Sequence, residues 1–271
     1  MPNVTENTRR FIENSGIDYF TYFIKAWIPF NAWYKNKWPD LHSDRKAINS
    51  IKDSVNEARS SIINYLENDN DDSKTFRSYF SSLHFQLLDN DIENNGRRIS
   101  FLDVKIGKNR NRRIDETFNR LTYHLERRDN RIGVEKIIIN IVKADGAAAC
   151  GQILQDDYNL DSLKDDREFQ KLTASQQNRL VGYYKEIIPY QSINLIEAHP
   201  VDGNQDQHDN YSKIGSFTFI DNKEKIAQGL VEVMYSLRCV LFHGELNPNE
   251  ANNEVYKNLY HLLFMILQKL R

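Results

Sequence analysis

Arg238 and His243 are the residues whose type and spacing point most directly at chemistry. They stand in the run Tyr235-Ser236-Leu237-Arg238-Cys239-Val240-Leu241-Phe242-His243-Gly244-Glu245. Arginine carries a permanent planar fork of donors that matches phosphoryl and carboxylate oxygens. Histidine titrates near neutral pH and can take or give a proton. Cys239 and His243 are four apart and could supply two metal ligands, but no further cluster completes a site, so no metal and no other cofactor is expected. Taken alone, an arginine near a helix end compensates the helix dipole, and a histidine beside glycine caps it.

The elements that must position this pair are helices. From Lys223 the apolar residues Ile226, Leu230, Met234, Leu237 and Leu241 recur at intervals of three and four, which predicts one buried face over Lys223 to His243. Gly244 and Pro248 are stop signals. A last helix is expected over Asn249 to Leu270, with Tyr256, Leu259, Leu263 and Leu267 inside. At the other end, Thr5 to Trp38 carries an aromatic stripe including Phe20, Phe23 and Trp27, with Pro29 as a kink or restart. Such stripes usually bury themselves; a base-stacking surface is the alternative. Ser43 to Leu66, with Ile48, Ile51, Val55, Ile62 and Leu66 inside, and Ser73 to Leu88 complete the N-terminal helices. Asp165 to Ile188 is expected to be helical again.

The middle of the chain has another texture. Arg98 to Ile106, Leu121 to Arg127 and Lys136 to Lys143 are rich in Ile, Val, Tyr and Phe and are bounded by Gly96, Gly107, Gly133 and Gly146, so they read as strands. Phe118 to Leu125 fits a helix or a strand. Lys105, Lys108, Arg110, Arg112 and Arg113 head a basic run that extends to Arg131, interrupted by Asp115, Glu116, Glu126 and Asp129. It is either a solvated surface or a contact for RNA phosphates. Gln191 to Phe219 is mixed, with a surface loop at Asp202 to Asn210.

Composition sets the outer bounds. The 271 residues are 40% apolar and 27% charged, ordinary for a globular protein, and the formal net charge of -2 gives no general attraction for nucleic acid. No apolar run of about 18 residues and no apolar N-terminal core occur, so neither a membrane span nor a secretory signal is expected. The two cysteines, Cys150 and Cys239, lack any paired spacing, which fits a reducing compartment; the expected location is the cytoplasm. No Gly-rich phosphate loop is present, which argues against a nucleotide-hydrolysing engine.

The Arg-x4-His spacing, the string RCVLFHGE and the aromatic segment WIPFNAWY (Trp27 to Tyr34) resemble the HEPN superfamily, in particular its proteins of bacterial toxin and defence systems. The resemblance covers the two ends of the chain and leaves the middle unmatched. It implies a mainly α fold, a HEPN-like helical bundle with a small inserted β-rich segment. Residues 1–97 and 160–271 would form the core and residues 98–159 the insertion. It further implies a homodimer in which two motifs face one cleft and cut RNA without a metal, Arg238 and His243 being the matching positions. Glu245 could orient the histidine. Cys239 stands where family members often carry a polar residue that supports the site. The implied role is a toxin or abortive-infection effector. The alternative is a non-catalytic module that binds RNA or a partner such as an antitoxin or defence protein.

Overall fold

The computed structural model describes residues 18–94, 96–130, 133–196 and 211–270. Helix α1 (Tyr19–Lys37) is capped by Asp18, whose carboxylate accepts from the backbone N–H groups of Phe20 and Thr21. Pro29 lies inside it and the helix runs on past it. The expected start at Thr5, with Phe11, falls outside the described residues. Helix α2 (Asp44–Asp53) and helix α3 (Glu57–Glu67) follow, then α4 (Asp71–Asp89). A single helix over Ser43 to Leu66 is therefore a misreading. The Ser54 hydroxyl donates back to the Ser50 carbonyl, Asn56 caps the next helix by accepting from the Arg59 N–H, and Val55, expected inside, is 89% exposed.

After α4 come a two-stranded ribbon, β1 (Glu93–Asn94) and β2 (Arg97–Arg98), and then strands β3 (Val104–Lys108), β4 (Arg113–Phe118), β5 (Leu121–Asn130), β6 (Gly133–Lys143) and β7 (Ile153–Gln155). Strands β4 to β7 form one antiparallel sheet in sequence order. Between β4 and β5 the turn residues Asn119 and Arg120 both have positive φ, 50° and 64°, the conformation that a two-residue hairpin needs to match strand twist. This settles the ambiguous stretch from Phe118 to Leu125 as strand: Leu121, Tyr123 and Leu125 point inward on alternate positions. Short helices α5 (Leu160–Lys164) and α6 (Arg167–Gln170) precede α7 (Ala174–Glu186), so the single helix expected from Asp165 is broken. Asp166 caps one piece, and Thr173 with Gln176 forms a capping box on the next. Strand β8 (Tyr190–Ile193) pairs with β3, and the hairpin β9 (Tyr211–Ile214) and β10 (Phe217–Ile220) leads into α8 (Lys223–Phe242) and α9 (Glu250–Leu267). The loop expected at Asp202 to Asn210 lies outside the described residues.

The expectation of a mainly α bundle is overturned: the structure is 51% helix and 22% strand, a mixed α/β protein with several small sheets. The physical reason is that the β-rich middle is no thin insertion. Its inward residues, including Tyr123, Leu125, Ile137, Ile139 and Ile141, make a hydrophobic core with Leu163, Phe169, Leu180 and Tyr184 from α5 to α7. Strands also occur outside 98–159, at β8, β9 and β10.

Contacts divide the chain into two units. The first is built from segments 1–39, 55–101 and 195–271, and the second from 40–54 and 102–194. In the first, α1 and α4 both pack on α9, and α3 packs on α8. In the second, the sheet and helices α5 to α7 share the core just described. The break between α2 and α3 coincides with a boundary between the units.

Candidate active site at the end of helix α8

The first unit holds Arg238 and His243 on one helix end. Asn222 starts α8 by accepting from the Lys225 N–H, and Ile226, Leu230, Val233, Met234 and Leu237 are buried along it. The helix closes in a Schellman motif: the Gly244 N–H donates to the Leu241 carbonyl at 3.3 Å, and the Glu245 N–H to the Val240 carbonyl at 3.1 Å. Gly244 supplies the left-handed turn, with φ +71°. His243 is therefore the C-cap residue, with φ -87° and ψ -3°, and its own N–H donates to Cys239. Of the two places that the stop signals allow His243, the last turn or the cap, it takes the cap.

His243 is exposed, and its ring makes no hydrogen bond with another described residue. Arg238 is half-buried. Its guanidinium carbon lies 4.5 Å from the centroid of the Phe242 ring, a cation–π contact one turn further along the helix. Phe242 is itself 46% exposed, so the arginine is held against a ring at the surface. This ring is the residue that motif spacing did not bring out, although its place four residues after Arg238 puts the two side chains on one helix face. Cys239 is half-buried and is a free thiol, as is Cys150. Glu245 is exposed, and its carboxylate makes no ion pair with a described residue.

Helix α9 braces this end of α8. Tyr256, fully buried, donates its hydroxyl to the Leu237 carbonyl at 2.7 Å, one residue before Arg238. Burial pushes the Tyr256 phenol well above its ordinary value, with the neighbouring Cys239 adding in the same direction. The phenol stays a neutral donor. Asn249 caps α9, and the Asn252 side chain donates to the Asn247 carbonyl, pinning the connection between the two helices. Trp27 of α1 meets Tyr235 of α8 with ring centroids 6.5 Å apart, so the two segments that carry the family resemblance touch.

The basic residues of the middle segment belong to the second unit. Lys108 pairs with Asp53 at 3.3 Å and Arg112 with Asp129 at 3.0 Å, while Arg113 pairs with Asp115. Arg110 is exposed. Arg127 is buried and serves architecture: it donates to the carbonyls of Ile187 and Asn109 and to the Asp129 carboxylate. Most of the run is thus matched by carboxylates. His84 is a core residue against Phe101, Phe217 and Phe219, and His124 sits at the surface beside Asp115. Among the described residues no group of three or more His, Cys, Asp or Glu side chains could share a metal ion, and no helix is long and apolar enough to cross a membrane. No family model, no curated protein and no solved structure significantly matches this chain.

Proposed function

We propose that the end of α8 is half of a metal-independent endoribonuclease site of HEPN type, completed by a second copy of the chain. The observation that carries the reading is the pairing of Arg238, stacked on Phe242 at 4.5 Å, with an exposed cap residue His243 at the same helix end. A guanidinium held against a ring is pre-oriented, and so loses less freedom on binding phosphate. A histidine with no partner among the described residues is available for proton transfer.

In this reading His243 takes the proton from a ribose 2′-OH, and the oxygen attacks the adjacent phosphorus. The bond from phosphorus to the 5′-oxygen breaks, and that oxygen leaves with a proton from the second copy's histidine. Arg238 faces the charge that accumulates on the phosphoryl oxygens. The products are a 2′,3′-cyclic phosphate and a 5′-hydroxyl end. The polar neighbour that HEPN proteins often place after the arginine is replaced here by Cys239, and in this reading the Phe242 ring takes over the orienting role. The protein would act in the cytoplasm as a toxin or defence effector against RNA.

The test is to analyse the ends of cleaved labelled RNA while measuring the mass of the protein by light scattering. Cyclic phosphate ends from a dimer are expected. Other product ends, or a protein that stays monomeric at every concentration, would refute the composite site.

A further inference from the structure

Helix α1 divides its aromatic residues between two faces. Phe23, Trp27, Phe30 and Tyr34 are buried, whereas Tyr22 and Trp33 face a groove of about 480 Å³ whose other wall is Tyr260 and Phe264 of α9. Tyr22 and Phe264 keep 44% and 43% of their surface exposed. The rings form a series: Tyr22 lies 5.5 Å from Tyr260, and Tyr260 lies 5.8 Å from Phe264. Beyond them Tyr260 meets His261 at 5.1 Å, and His261 stacks on Tyr79 at 4.4 Å with the ring planes 9° apart. Lys25 lines the same groove, with Nζ 5.4 Å above the Tyr22 ring and no ion pair to another described residue. Among the described residues no carboxylate side chain lines the groove.

A row of rings open to a groove, edged by a lysine and with no acidic side chain among the described lining residues, matches one kind of occupant better than others. A nucleobase presents a flat face to such rings, and its backbone brings a negative charge to the lysine. We propose that the groove between α1 and α9 binds the unpaired bases of a single-stranded nucleic acid by stacking, with Lys25 meeting a phosphate. The natural ligand, single-stranded RNA, rests on the nuclease reading above. Stacking reads base faces and ignores the 2′-OH, so single-stranded DNA fills the same groove and escapes cleavage.

The experiment titrates the full chain with an oligodeoxyadenylate and follows tryptophan emission, since Trp33 lines the groove. Quenching on binding is expected. Tyr22→Ala combined with Phe264→Ala is expected to weaken binding about tenfold or more, from the loss of two stacking faces. Lys25→Gln is expected to lower the salt slope by about one phosphate contact. Tyr22→Leu with Phe264→Leu keeps apolar bulk while removing the flat faces, and must weaken binding to the same degree if stacking is the cause. Unchanged affinity in these variants overturns the proposal. So does a loss of self-association in light scattering without a loss of oligonucleotide binding, which would assign the groove to a second copy. Binding of the DNA by a protein that leaves RNA uncut would refute the nuclease reading and leave this groove standing.

Discussion

Arg238 rests on the ring of Phe242, its guanidinium carbon 4.5 Å from the ring centroid, at the surface end of an otherwise buried helix. The contact restricts the arginine, and under the proposed function a pre-oriented guanidinium loses less freedom on meeting a phosphate. Replacing Phe242 by alanine removes a contact worth roughly 0.5–1 kcal/mol at an exposed site. RNA cleavage by Phe242→Ala is expected to fall about two- to fivefold, with the thermal midpoint nearly unchanged because the ring is half exposed. Kinetics beside a melting curve checks this, and a midpoint that drops with the rate would mean the ring serves the fold.

Gly244 holds the turn that presents His243. Its φ of +71° is left-handed, and a Cβ there would meet no atom within 4 Å, so Gly244→Ala is penalised by backbone strain alone. The expected cost is about 1 kcal/mol, or ~2–4 °C in thermal midpoint for a chain of this size. Differential scanning calorimetry reads it directly.

Arg127 shows what a fully committed arginine looks like. Its side chain is 1% exposed and donates to two backbone carbonyls and to Asp129. Arg127→Ala takes this donor from the Ile187 and Asn109 carbonyls and leaves Asp129 with Arg112 alone, at about 3–5 kcal/mol. Arg127→Lys rescues little, because one ammonium cannot span the fork. Urea titration followed by far-UV circular dichroism should show early loss of the second unit in both variants.

His84 gives the first unit a pH dependence. Desolvation lowers its pKa from 6.5 to about 4, and it is 1% exposed among phenylalanine rings. The unfolded chain therefore binds the proton first. Its contribution is fully present above pH ~6.5 and is lost as pH falls towards 4, amounting to roughly 3 kcal/mol. His84→Leu should flatten the stability profile between pH 4 and 6.5, as measured by denaturant unfolding. An unchanged slope would place the titration elsewhere.

The sequence made the two C-terminal helices plain because each shows one apolar face, and because Gly244 and Pro248 mark the stop between α8 and α9. The break at Ser54 to Asn56 was hidden because apolar spacing continues across it, and only the Ser54 and Asn56 side-chain hydrogen bonds end one helix and start the next. The strands were legible from Ile, Val, Tyr and Phe content and bounding glycines, but at Leu121, Tyr123 and Leu125 alternation competed with the helical spacing of Phe118, Leu121 and Leu125, and only the hairpin pairing of β4 with β5 decides it. That they join α5 to α7 in a core of their own depends on contacts between residues far apart in the chain, such as Tyr123 with Tyr183. At the site, the spacing of Arg238 and His243 was visible. The Phe242 contact depends on a rotamer, and the matching of basic residues by Asp53 and Asp129 depends on tertiary placement.

Cleavage of labelled single-stranded RNA by purified, dimeric protein in EDTA tests the central claim most directly, with His243→Ala and Arg238→Ala measured alongside. The account predicts cleavage by the native chain, a loss of about 100-fold or more in each variant, and no cleavage of the DNA counterpart. Equal cleavage by all three proteins, or none by the folded native dimer, would contradict it.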